Sequence, residues 1–473
     1  MEIKKIVCLG AGCVGCASMA VLAENCPEFQ VTLVDNDAKK VEAWNSFNLP
    51  IFEPKLDKIL QNVLNKNLFI TTDLANSVSD ADIIFIAVNT PTKILGEGAG
   101  RATLVNHIEH VAREIGKYAK NPSTIVVEKS TVPVGVSRSI KSVLNANSEH
   151  GVNFRILANP EFMSEGSAVD NLRNPDRILI GHDDNDECRQ AANILKKIYQ
   201  KWVSEERILL TDCWSAELAK LTMNAFLAQR ITSINAISAI CEKTGANVTE
   251  VSHAVGTDSR IGPKFMRASV GFGGSAFAKD LLQLVYIAES LHLAKVASYW
   301  ESVITMNLYQ INRFTSNIVR TLFGTLMNKI IAVFGFAFKY HTNDTRGSPA
   351  IRVCDMLLEE GAIIHIYDQK TSKEQIFSDL QTFNPDRSIE VFDRNVKVYN
   401  DDEYESTKNA HALVILNDSP EFCSLDFKRI YDSMMKPAFL FDGRNLLDRE
   451  KLRDIGFITQ GIGVVPDNVD NEF

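Results

Sequence analysis

The sequence predicts an α/β protein in which two doubly wound domains are joined by a central domain of long helices. Short apolar runs separated by helical stretches fill the first part of the chain. Long helical patterns without strands follow from Trp214, and the opening pattern of strand, glycine turn and helix returns at residue 329. A chain of 473 residues also exceeds what one hydrophobic core usually serves. We expect domains over residues 1–212, 213–325 and 326–473.

The first domain begins with a strand, a glycine turn, a helix and a second strand. These segments read KKIVCLG, AGCVGCASMAVLAENC and QVTLVDN. Further apolar runs follow, and several are nearly continuous, as in strands that are covered on both faces. They are DIIFIAVNT (82–90), TIVVEKS (124–130), FRILANP (154–160), RILIG (177–181) and ILLTD (208–212). The pattern predicts a doubly wound parallel sheet.

The central and C-terminal regions follow the same reasoning. Trp214 opens a long helical pattern that Gly245 ends, and the segment 280–323 predicts one or two further helices. Long helices between two sheet domains commonly form a spine or a subunit interface. From residue 329 a strand, a glycine turn, a helix and a strand recur, and Asp368 ends the last of these. Later strands are predicted in HALVILND (411–418) and AFLFDGR (438–444).

Composition and charge limit the function classes. A formal net charge of -9 disfavours nucleic-acid or anionic-membrane surfaces, because like charges repel. The N-terminal apolar run resembles a signal peptide, but Gly10, Gly12 and Gly15 interrupt it at a spacing that has its own meaning. Nine cysteines without framework spacing suit a reducing compartment, so we expect a cytoplasmic protein. Cys13 and Cys16 lie in the glycine turn, where small residues explain them better than a metal site, and no metal is expected.

The strongest single motif is GxGxxG, formed by Gly10, Gly12 and Gly15. It follows an apolar strand, opens a helix, and is answered by Asp35 at the end of the next strand. This context predicts a dinucleotide site, since the glycines let the helix N-terminus approach a pyrophosphate while Asp35 accepts hydrogen bonds from a ribose. The acidic residue disfavours a 2′-phosphate, so NAD is preferred over NADP. The alternative is a glycine turn in an ordinary α/β unit.

Two pairs of polar residues are candidate catalytic groups. Glu161 and Glu165 come just after the strand FRILA, at the strand end where open α/β sheets bind ligands, although an acidic helix start gives the same letters. Lys220 and Asn224 are four residues apart, so they share one face of a helix. That pair suits an oxyanion, and a solvated helix face is the alternative.

Two glycine-containing loops predict contacts with phosphate. GFGGSAFAKD (271–280) allows close backbone contact with a ligand and ends in a charged pair, while Arg260 and Lys264 lie just upstream. The segment GFAFKYHTNDTRGSP in the second α/β domain supplies Lys339 and Arg346 and precedes a helix. It suits a second phosphate-bearing ligand or the far end of the same cofactor.

Together these residues resemble the UDP-glucose 6-dehydrogenase family, part of the UDP-glucose/GDP-mannose dehydrogenases, from the first glycine turn to about residue 465. The matching segments are GAGCVG, VNTPTK (88–93), EKSTVPV (128–134), NPEFMSEG (159–166), NPDRILIG (174–181), AELAKLTMNAFLAQRI (216–231), GFGGSAFAKD, GFAFK with DTR (344–346), and FDGR (441–444). The resemblance implies an enzyme that oxidises UDP-glucose to UDP-glucuronate by two hydride transfers to NAD. It implies Rossmann-like NAD-binding and UDP-sugar-binding domains around a helical dimerisation domain. It also implies a homodimer that assembles further, often to a hexamer.

By motif position, the resemblance implies that Lys220 and Asn224 stabilise an alkoxide or oxyanion, that Asp280 helps proton transfer, and that Glu161 with Thr131 orders the hydrolytic water. The implied cofactor-binding residues are Gly10, Gly12, Val14, Gly15, Asp35, Lys40, Thr90, Thr131, Glu165 and Arg346. The implied substrate-binding residues are Glu161, Lys220, Asn224, Arg260, Lys264, Phe265, Phe272, Gly273, Phe338, Lys339 and Arg444. Arg260 is expected to reach a neighbouring subunit's site.

One position departs from the family pattern: the family carries cysteine where this chain has Ala276. The thiolate attacks the aldehyde, the resulting thiohemiacetal gives up the second hydride, and water cleaves the thioester. A methyl group does none of this, and deleting a covalent nucleophile in another enzyme costs on the order of a millionfold in rate. Ala278 in place of glutamine, and Tyr340-His341 in place of a more polar pair, are further departures.

Three hypotheses follow from the sequence. The first is an NAD-dependent UDP-sugar dehydrogenase with an impaired second oxidation. The second is a catalytically inactive paralogue that binds NAD and UDP-sugar and modulates an active partner. The third is a redox-sensing or structural protein that uses Cys13 and Cys16. Retention of the polar catalytic residues favours the first hypothesis.

Overall fold

The computed structural model of the chain describes residues 3–465 and divides into two compact units. The first unit holds the chain up to Met223 together with Leu282–His292. The second holds Asn224–Leu281 and the chain from Leu293 onward. The division falls within the helical region predicted at 213–325, and the three-domain boundaries inferred from the sequence stay a prediction.

The first unit contains an eight-stranded sheet with the order β3-β2-β1-β4-β5-β6-β7-β8. Its strands are β1 (Lys5–Leu9), β2 (Gln30–Val34), β3 (Leu68–Thr71), β4 (Ile83–Ile86), β5 (Ile125–Glu128), β6 (Arg155–Ala158), β7 (Ile178–His182) and β8 (Ile208–Thr211). Neighbours are parallel except β6 and β7, which are antiparallel. The expectation of a parallel sheet is therefore corrected at one pair, because a buried apolar run has the same appearance in either strand direction.

Helices cover both faces of this sheet. They are α1 (Cys13–Asn25), α2 (Ala38–Asn45), α3 (Leu56–Val63), α4 (Leu74–Ser79), α5 (Asn106–Tyr118), α6 (Val136–Ala146), α7 (Ala168–Arg173), α8 (Asp186–Tyr199) and the start of α9 (Cys213–Thr244). Along β1, Ile6 and Cys8 belong to one hydrophobic core, while Val7 and Leu9 belong to the other. Because successive side chains point to opposite faces, a continuous apolar strand fills both cores.

The second unit contains a six-stranded, wholly parallel sheet with the order β11-β10-β9-β12-β13-β14. Its strands are β9 (Ile330–Phe334), β10 (Ile363–Tyr367), β11 (Val396–Tyr399), β12 (Ala412–Ile415), β13 (Phe439–Asp442) and β14 (Ile458–Gly461). Both sheets therefore confirm the predicted α/β class with two Rossmann-like domains. Three strands, β3, β11 and β14, were not predicted from the sequence.

The remaining helices include the long ones predicted for the middle of the chain. They are α10 (Val248–Gly256), α11 (Phe277–Ser290), α12 (Ala294–Thr321), α13 (Pro349–Glu359), α14 (Lys373–Phe383), α15 (Ile389–Asn395), α16 (Glu403–Thr407), α17 (Phe427–Ser433) and α18 (Arg449–Ile455). The segment 280–323 forms two helices, because His292 has a φ of 60° and interrupts the helical backbone. Across residues 3–465, no helix is long and apolar enough to cross a membrane.

Candidate functional site

The glycine turn between β1 and α1 has the geometry of a dinucleotide cradle. Gly10 has a φ of 110°, and a Cβ there would lie 2.4 Å from the carbonyl oxygen of Ala87. A Cβ on Gly15 would lie 2.0 Å from the carbonyl oxygen of Gly10. A Cβ on Gly12 would meet no atom within 4 Å. Two glycines therefore permit close packing, and Gly12 leaves the N-terminus of α1 open to a phosphate group.

Asp35 completes this cradle after β2. Its carboxylate accepts hydrogen bonds from the backbone N–H of Ala11 at 2.8 Å and from Lys40 Nζ at 2.7 Å. A third hydrogen bond comes from the N–H of Asp37 at 3.1 Å. Burial raises the pKa of Asp35, but these hydrogen bonds outweigh it and hold that pKa below its usual value. The carboxylate is thus ionised and retains capacity to accept a ribose hydroxyl, so these residues fit NAD.

Thr90 and Thr131 meet at the same edge of the first unit's sheet. The Thr90 hydroxyl donates to the carbonyl oxygen of Thr131 at 2.9 Å, and Thr90 is buried. Thr90 follows β4 and Thr131 follows β5, so both lie beyond the carboxyl ends of neighbouring strands. That is the edge at which open α/β sheets bind ligands.

Glu161 lies in a buried charged network that the sequence did not reveal. Its Oε2 pairs with Lys129 Nζ at 2.7 Å, and its Oε1 accepts from the backbone N–H groups of Phe162 at 2.8 Å and Met163 at 3.0 Å. Burial raises the pKa of Glu161, but the charge of Lys129 and these hydrogen bonds bring it below its usual value. Glu165 lies in the same loop and is partly exposed.

Lys220 is buried on α9, with 7% of its surface exposed. Its ammonium lies 5.5 Å from the centroid of the Phe162 ring, on which Arg177 also packs at 4.0 Å. The burial excludes the alternative of a solvated helix face for this lysine. It also places a cation beside the loop that carries Glu161, whose charge lowers the pKa of that carboxyl.

In the second unit, Asn224 and Asp280 form a buried pair. Asn224 Nδ2 donates to Asp280 Oδ2 at 2.6 Å, and the two residues are 4% and 1% exposed. The solvated-face alternative is excluded for Asn224 as well. Lys279 is next to Asp280 in the chain, and burial lowers the pKa of its ammonium group. The charge of Arg346 also lowers this pKa, whereas the charge of Asp280 raises it. A lysine, a carboxylate and an amide are thus held close together at the start of α11.

The glycines of segment 271–280 mainly allow close packing within the second unit. A Cβ on Gly273 would lie 2.6 Å from the carbonyl oxygen of Gly347, and one on Gly271 would lie 3.0 Å from Asn307 Oδ1. Asn307 also exchanges two hydrogen bonds with the backbone of Phe272. The segment is therefore a fixed loop. Ala276 lies directly before α11, and its carbonyl accepts from the N–H of Asp280 at 2.9 Å.

A cavity of about 230 Å³ in the second unit gathers many of the predicted substrate residues. The predicted residues that line it are Phe265, Phe272, Gly273, Phe338, Lys339 and Arg444. The lining residues that were not predicted are Ile231, Arg267, Ser269 and Asp418, whereas Gly271 and Phe277 belong to the loop 271–280 that was predicted to contact a ligand. Three cations, four phenylalanines and one carboxylate suit an aromatic base joined to phosphate groups.

Arg444 is held in this cavity by its own backbone contacts. Its Nε donates to the carbonyl oxygen of Leu416 at 2.8 Å, and a terminal nitrogen donates to that of Phe338 at 3.2 Å. Burial lowers the pKa of Arg444, whereas the charge of Asp418 raises it. The guanidinium stays charged, because arginine is protonated throughout the physiological pH range.

Three predicted residues lie elsewhere on the second unit. Arg260 pairs with Asp258 at 2.7 Å, and 86% of its side chain is exposed. Arg346 pairs with Asp344 at 2.6 Å. Lys264 is exposed and does not line the cavity. The structure therefore does not bring these side chains together with Lys339 and Arg444.

The second glycine turn, after β9, differs from the first. Asp368 Oδ2 accepts from the N–H groups of Phe336 at 2.8 Å and Ala337 at 3.0 Å, and both residues are buried. A Cβ on Gly335 would lie 2.2 Å from the side chain of Asn417. Because a carboxylate already occupies the N–H groups of this turn, a phosphate has no place to bind them. Lys339 lies outside these N–H groups and lines the cavity instead.

The cysteines give no sign of a redox or metal centre in the described chain. Cys16 is fully buried, and its burial raises the pKa of the thiol well above the usual value. Burial likewise raises the pKa of Cys8 to about 12. A high pKa suppresses the reactive thiolate. Within residues 3–465, no cluster of three or more His, Cys, Asp or Glu side chains could hold a metal ion.

Comparisons with known proteins agree with this arrangement. Three models of the UDP-glucose/GDP-mannose dehydrogenase family match the chain: the NAD binding domain over residues 4–203, the central domain over 214–309, and the UDP binding domain over 332–449. A UDP-glucose 6-dehydrogenase of Drosophila melanogaster is 51% identical over 459 residues, covering 97% of this chain and 96% of the relative. UDP-glucose 6-dehydrogenase 3 of Oryza sativa subsp. japonica is 52% identical over 466 residues, covering 97% of each protein.

Solved structures show the same fold. A UDP-glucose dehydrogenase from the hyperthermophilic archaeon Pyrobaculum islandicum aligns with a TM-score of 0.83 and 28% identity over 98% of both chains. A UDP-D-ManNAc dehydrogenase from Pyrococcus horikoshii aligns with a TM-score of 0.78 and 25% identity, covering 97% of this chain and 99% of the other.

Proposed function

Because this chain belongs to the UDP-glucose/GDP-mannose dehydrogenase family, we propose that it is a UDP-glucose 6-dehydrogenase in which the second oxidation is impaired. Its family and relatives indicate an NAD-dependent nucleotide-sugar dehydrogenase. The observation that carries the finer proposal is Ala276, which lies directly before α11 at the position where family resemblance implies the nucleophile.

The residues of the first unit support the NAD part of the proposal. When bound, NAD accepts a hydride from the substrate carbon in each oxidation. Gly12 keeps the N-terminus of α1 accessible to the pyrophosphate, and Asp35 presents an ionised acceptor to the ribose. Val14 lies in the first turn of α1, and Lys40 pairs with Asp35, which supports their proposed place around the cofactor.

The cavity of the second unit supports the UDP-sugar part. Lys339 and Arg444 line it as cations that suit the diphosphate, and the lining phenylalanines suit the base. The preferred substrate in this proposal is UDP-glucose, as in the names of the relatives from fly and rice.

Oxidation of the primary alcohol requires removal of its proton as the hydride leaves. Lys220 is proposed to stabilise the alkoxide, assisted by Asn224, and Asp280 is proposed to take part in the proton transfer. The burial of these groups supports the proposal, because electrostatic interactions strengthen where water is excluded. The product of this step is the 6-aldehyde, with one NADH formed and one proton released.

The second oxidation needs an adduct of the aldehyde that bears a removable hydride. A cysteine directly before α11 would supply it, since a helix N-terminus stabilises a thiolate, whereas the Ala276 side chain has no atom that forms the bond. The remaining route is hydration: water adds to the aldehyde, the gem-diol loses a hydride to a second NAD and a proton to solvent, and the acid forms. We propose that this uncatalysed addition limits turnover.

The experiment that tests the proposal counts NADH formed per UDP-glucose by the unmodified protein and by Ala276→Cys. We expect slow formation of the second NADH and an aldehyde that a hydrazine traps. Loss of a covalent nucleophile lowers the catalytic rate by roughly a millionfold, and the cysteine variant should recover a large part of that rate. Ala278→Cys is the matched control, because it adds a thiol to α11 two residues away. Two NADH per sugar at equal rates from the unmodified chain would contradict the proposed impairment.

A second candidate function also follows from Ala276: an inactive paralogue that binds NAD and UDP-sugar and modulates an active partner. Binding of both ligands without NADH formation in either the unmodified chain or Ala276→Cys would favour it. We further propose a cytoplasmic homodimer that assembles to a hexamer. The support for self-association is one face of α9 on which the apolar side chains of Phe226, Ile237 and Ile240 are exposed.

A further inference from the structure

The Lys129 ammonium is among the most enclosed charges of the first unit. Only 2% of its side chain is exposed, and its Nζ lies 2.7 Å from Glu161 Oε2. The same nitrogen lies 3.2 Å from Asn159 Oδ1 and 3.4 Å from the Asn159 carbonyl oxygen. A buried lysine is costly unless it is paired and hydrogen-bonded, and here both conditions are met.

The orientation of Asn159 is fixed by two further contacts. Its Nδ2 donates to the carbonyl oxygen of Leu179 at 2.8 Å, so its Oδ1 must face the lysine. The hydroxyl of Tyr199 donates to the same Oδ1 at 2.6 Å. Lys129 follows β5, Asn159 follows β6 and Tyr199 ends α8, so three elements hold the ammonium in one place.

The ammonium in turn fixes Glu161. The two backbone hydrogen bonds from Phe162 and Met163 occupy Oε1, while Oε2 receives Lys129 and lies 3.5 Å from Ser18 Oγ on α1. This carboxylate therefore has little freedom to rotate towards a water molecule. Through Oε1 it is also connected to the backbone of Phe162, whose ring faces Lys220.

We propose that Lys129 is a positioning residue: it holds the Glu161 carboxylate in one direction and one charge state, and through the backbone of Phe162 it fixes the ring that faces Lys220. The inference rests on the proposed function, because Lys220 matters here as the residue proposed to stabilise the alkoxide. Lys129 itself touches neither substrate nor cofactor in this account.

The charged and titratable groups around Glu161 explain why Lys129 dominates. Lys220 on α9 is a second cation that favours the ionised carboxylate. Tyr199 on α8 has a pKa that burial raises, so it stays neutral, and Cys8 on β1 stays a thiol for the same reason. If Lys129 lost its charge, only the backbone hydrogen bonds and the charge of Lys220 would oppose the effect of burial, and the pKa of Glu161 would move upward.

The test compares Lys129→Met, Lys129→Arg, Glu161→Gln and the double variant Lys129→Met with Glu161→Gln. The first readout is the rate of the first NADH formed from UDP-glucose as a function of pH. We expect the rate of first NADH formation in Lys129→Met to be lower by roughly tenfold to a hundredfold. This is the range found when supporting groups around metal sites are removed. The rate of Lys129→Met should fall further on acidification, towards the rate of Glu161→Gln. Lys129→Arg should retain the pH–rate profile of the unmodified chain. The two variants that carry Glu161→Gln should show no decrease in rate from protonation of residue 161.

The second readout is the Tm as a function of pH, which needs no activity. In the unmodified chain the pKa of Glu161 is lower in the folded state than in the unfolded state. Glu161 therefore stabilises the fold when the pH is above its unfolded-state pKa. This stabilisation is lost as the pH falls through its folded-state pKa. In Lys129→Met the pKa of Glu161 moves upward, so the variant gains less stability from ionising Glu161 and its Tm deficit should be larger at about pH 8 than at about pH 5. The double variant buries no unpaired charge and should remove that pH dependence.

A normalised pH–rate profile of Lys129→Met that matches the unmodified chain would overturn the proposal, as would a Tm deficit that is equal at both pH values. If Lys129→Met does not fold, recovery of folding in the double variant supports the proposal and its absence overturns it. If no variant forms NADH although UDP-glucose binds, the proposed dehydrogenase function fails. The Tm measurements then still decide whether Lys129 controls the charge of Glu161.

Discussion

Glu128 is the last residue of β5, and its carboxyl group is buried in the first unit. Within the described part of the chain, its Oε1 has no hydrogen-bond partner. Burial and the neighbouring Glu217 raise the pKa of Glu128 well above its usual value, and Lys129 only partly opposes them. These effects favour the neutral form of Glu128, in contrast to Glu161, whose ionised form a lysine favours. The difference follows from one cation lying closer to one carboxyl group than to the other.

We expect Glu128→Gln to change how stability depends on pH. The pKa of Glu128 is higher in the folded state than in the unfolded state. Its contribution to the free energy of unfolding is therefore complete when the pH is below its unfolded-state pKa, and it declines as the pH rises towards its folded-state pKa. The variant should remove a decline of up to about 1.4 kcal/mol per pH unit that begins as the pH rises above the unfolded pKa of about 4.3. Urea unfolding at several pH values measures this slope. Glu149→Gln, at an exposed glutamate, is the control, and an unchanged slope in Glu128→Gln would show that Glu128 is ionised in the folded state.

Residue by residue, the sequence predicted the parts of the site that depend on local spacing. The glycines of the first turn and Asp35 are such cases, because a tight turn and a strand end are defined within one α/β unit. Lys129 and Asp418 were missed, since their significance arises from burial among residues distant in the chain. No spacing rule marks a lysine that pairs with a carboxylate 32 positions away, although Lys129 lies in a recognised motif directly after a strand.

At the scale of elements, strand position explains which strands the sequence revealed. The three that were not predicted, β3, β11 and β14, are all at sheet edges. The fourth edge strand, β8, was predicted because its run ILLT is apolar, although only Ile208 in it is buried. Each of the three unpredicted strands has only four residues and is incompletely buried, as β11 illustrates with one buried residue. Central strands such as β4 are buried throughout and produce continuous apolar runs. Edge strands lose that signal because part of their surface faces solvent.

In the turn before α1, Gly12 leaves space for a ligand and Gly15 allows close backbone packing. Two alanine variants distinguish these roles. Gly12→Ala should leave the Tm nearly unchanged, because its Cβ would meet no protein atom within 4 Å. It should weaken NAD binding at least about tenfold, since the methyl group occupies the approach of the pyrophosphate. Gly15→Ala should instead lower the Tm, because its Cβ would lie 2.0 Å from a backbone oxygen. Calorimetric NAD titration and thermal melts check both, and unchanged NAD affinity in Gly12→Ala would exclude a cofactor at this helix end.

At the scale of the whole molecule, α9 presents a stripe that a single chain leaves exposed. Phe226, Ser233, Ile237 and Ile240 are exposed, and their separations of seven, eleven and fourteen residues from Phe226 place them on one face of the helix. Ile234 and Cys241, which alternate with them, are buried in the second unit. Three of these four residues are apolar and Ser233 is polar, and exposed apolar residues that share one face of a long helix are typical of a helix that packs against a partner helix. A two-fold symmetric dimer pairs such a stripe with its own copy.

Ile240→Lys therefore tests the proposed assembly. Ile240 is 58% exposed, so the folded chain tolerates the lysine, whereas a dimer formed through this face would have to bury one lysine from each subunit. We expect light scattering to report a dimer or larger assembly for the unmodified protein and a shift to monomer for the variant, with an unchanged circular dichroism spectrum. Met435→Lys, which changes another exposed apolar residue at 47% exposure away from α9, should leave the mass unchanged. If Ile240→Lys retains the mass of the unmodified assembly, the interface lies elsewhere and the stripe on α9 stays solvent-exposed in the oligomer.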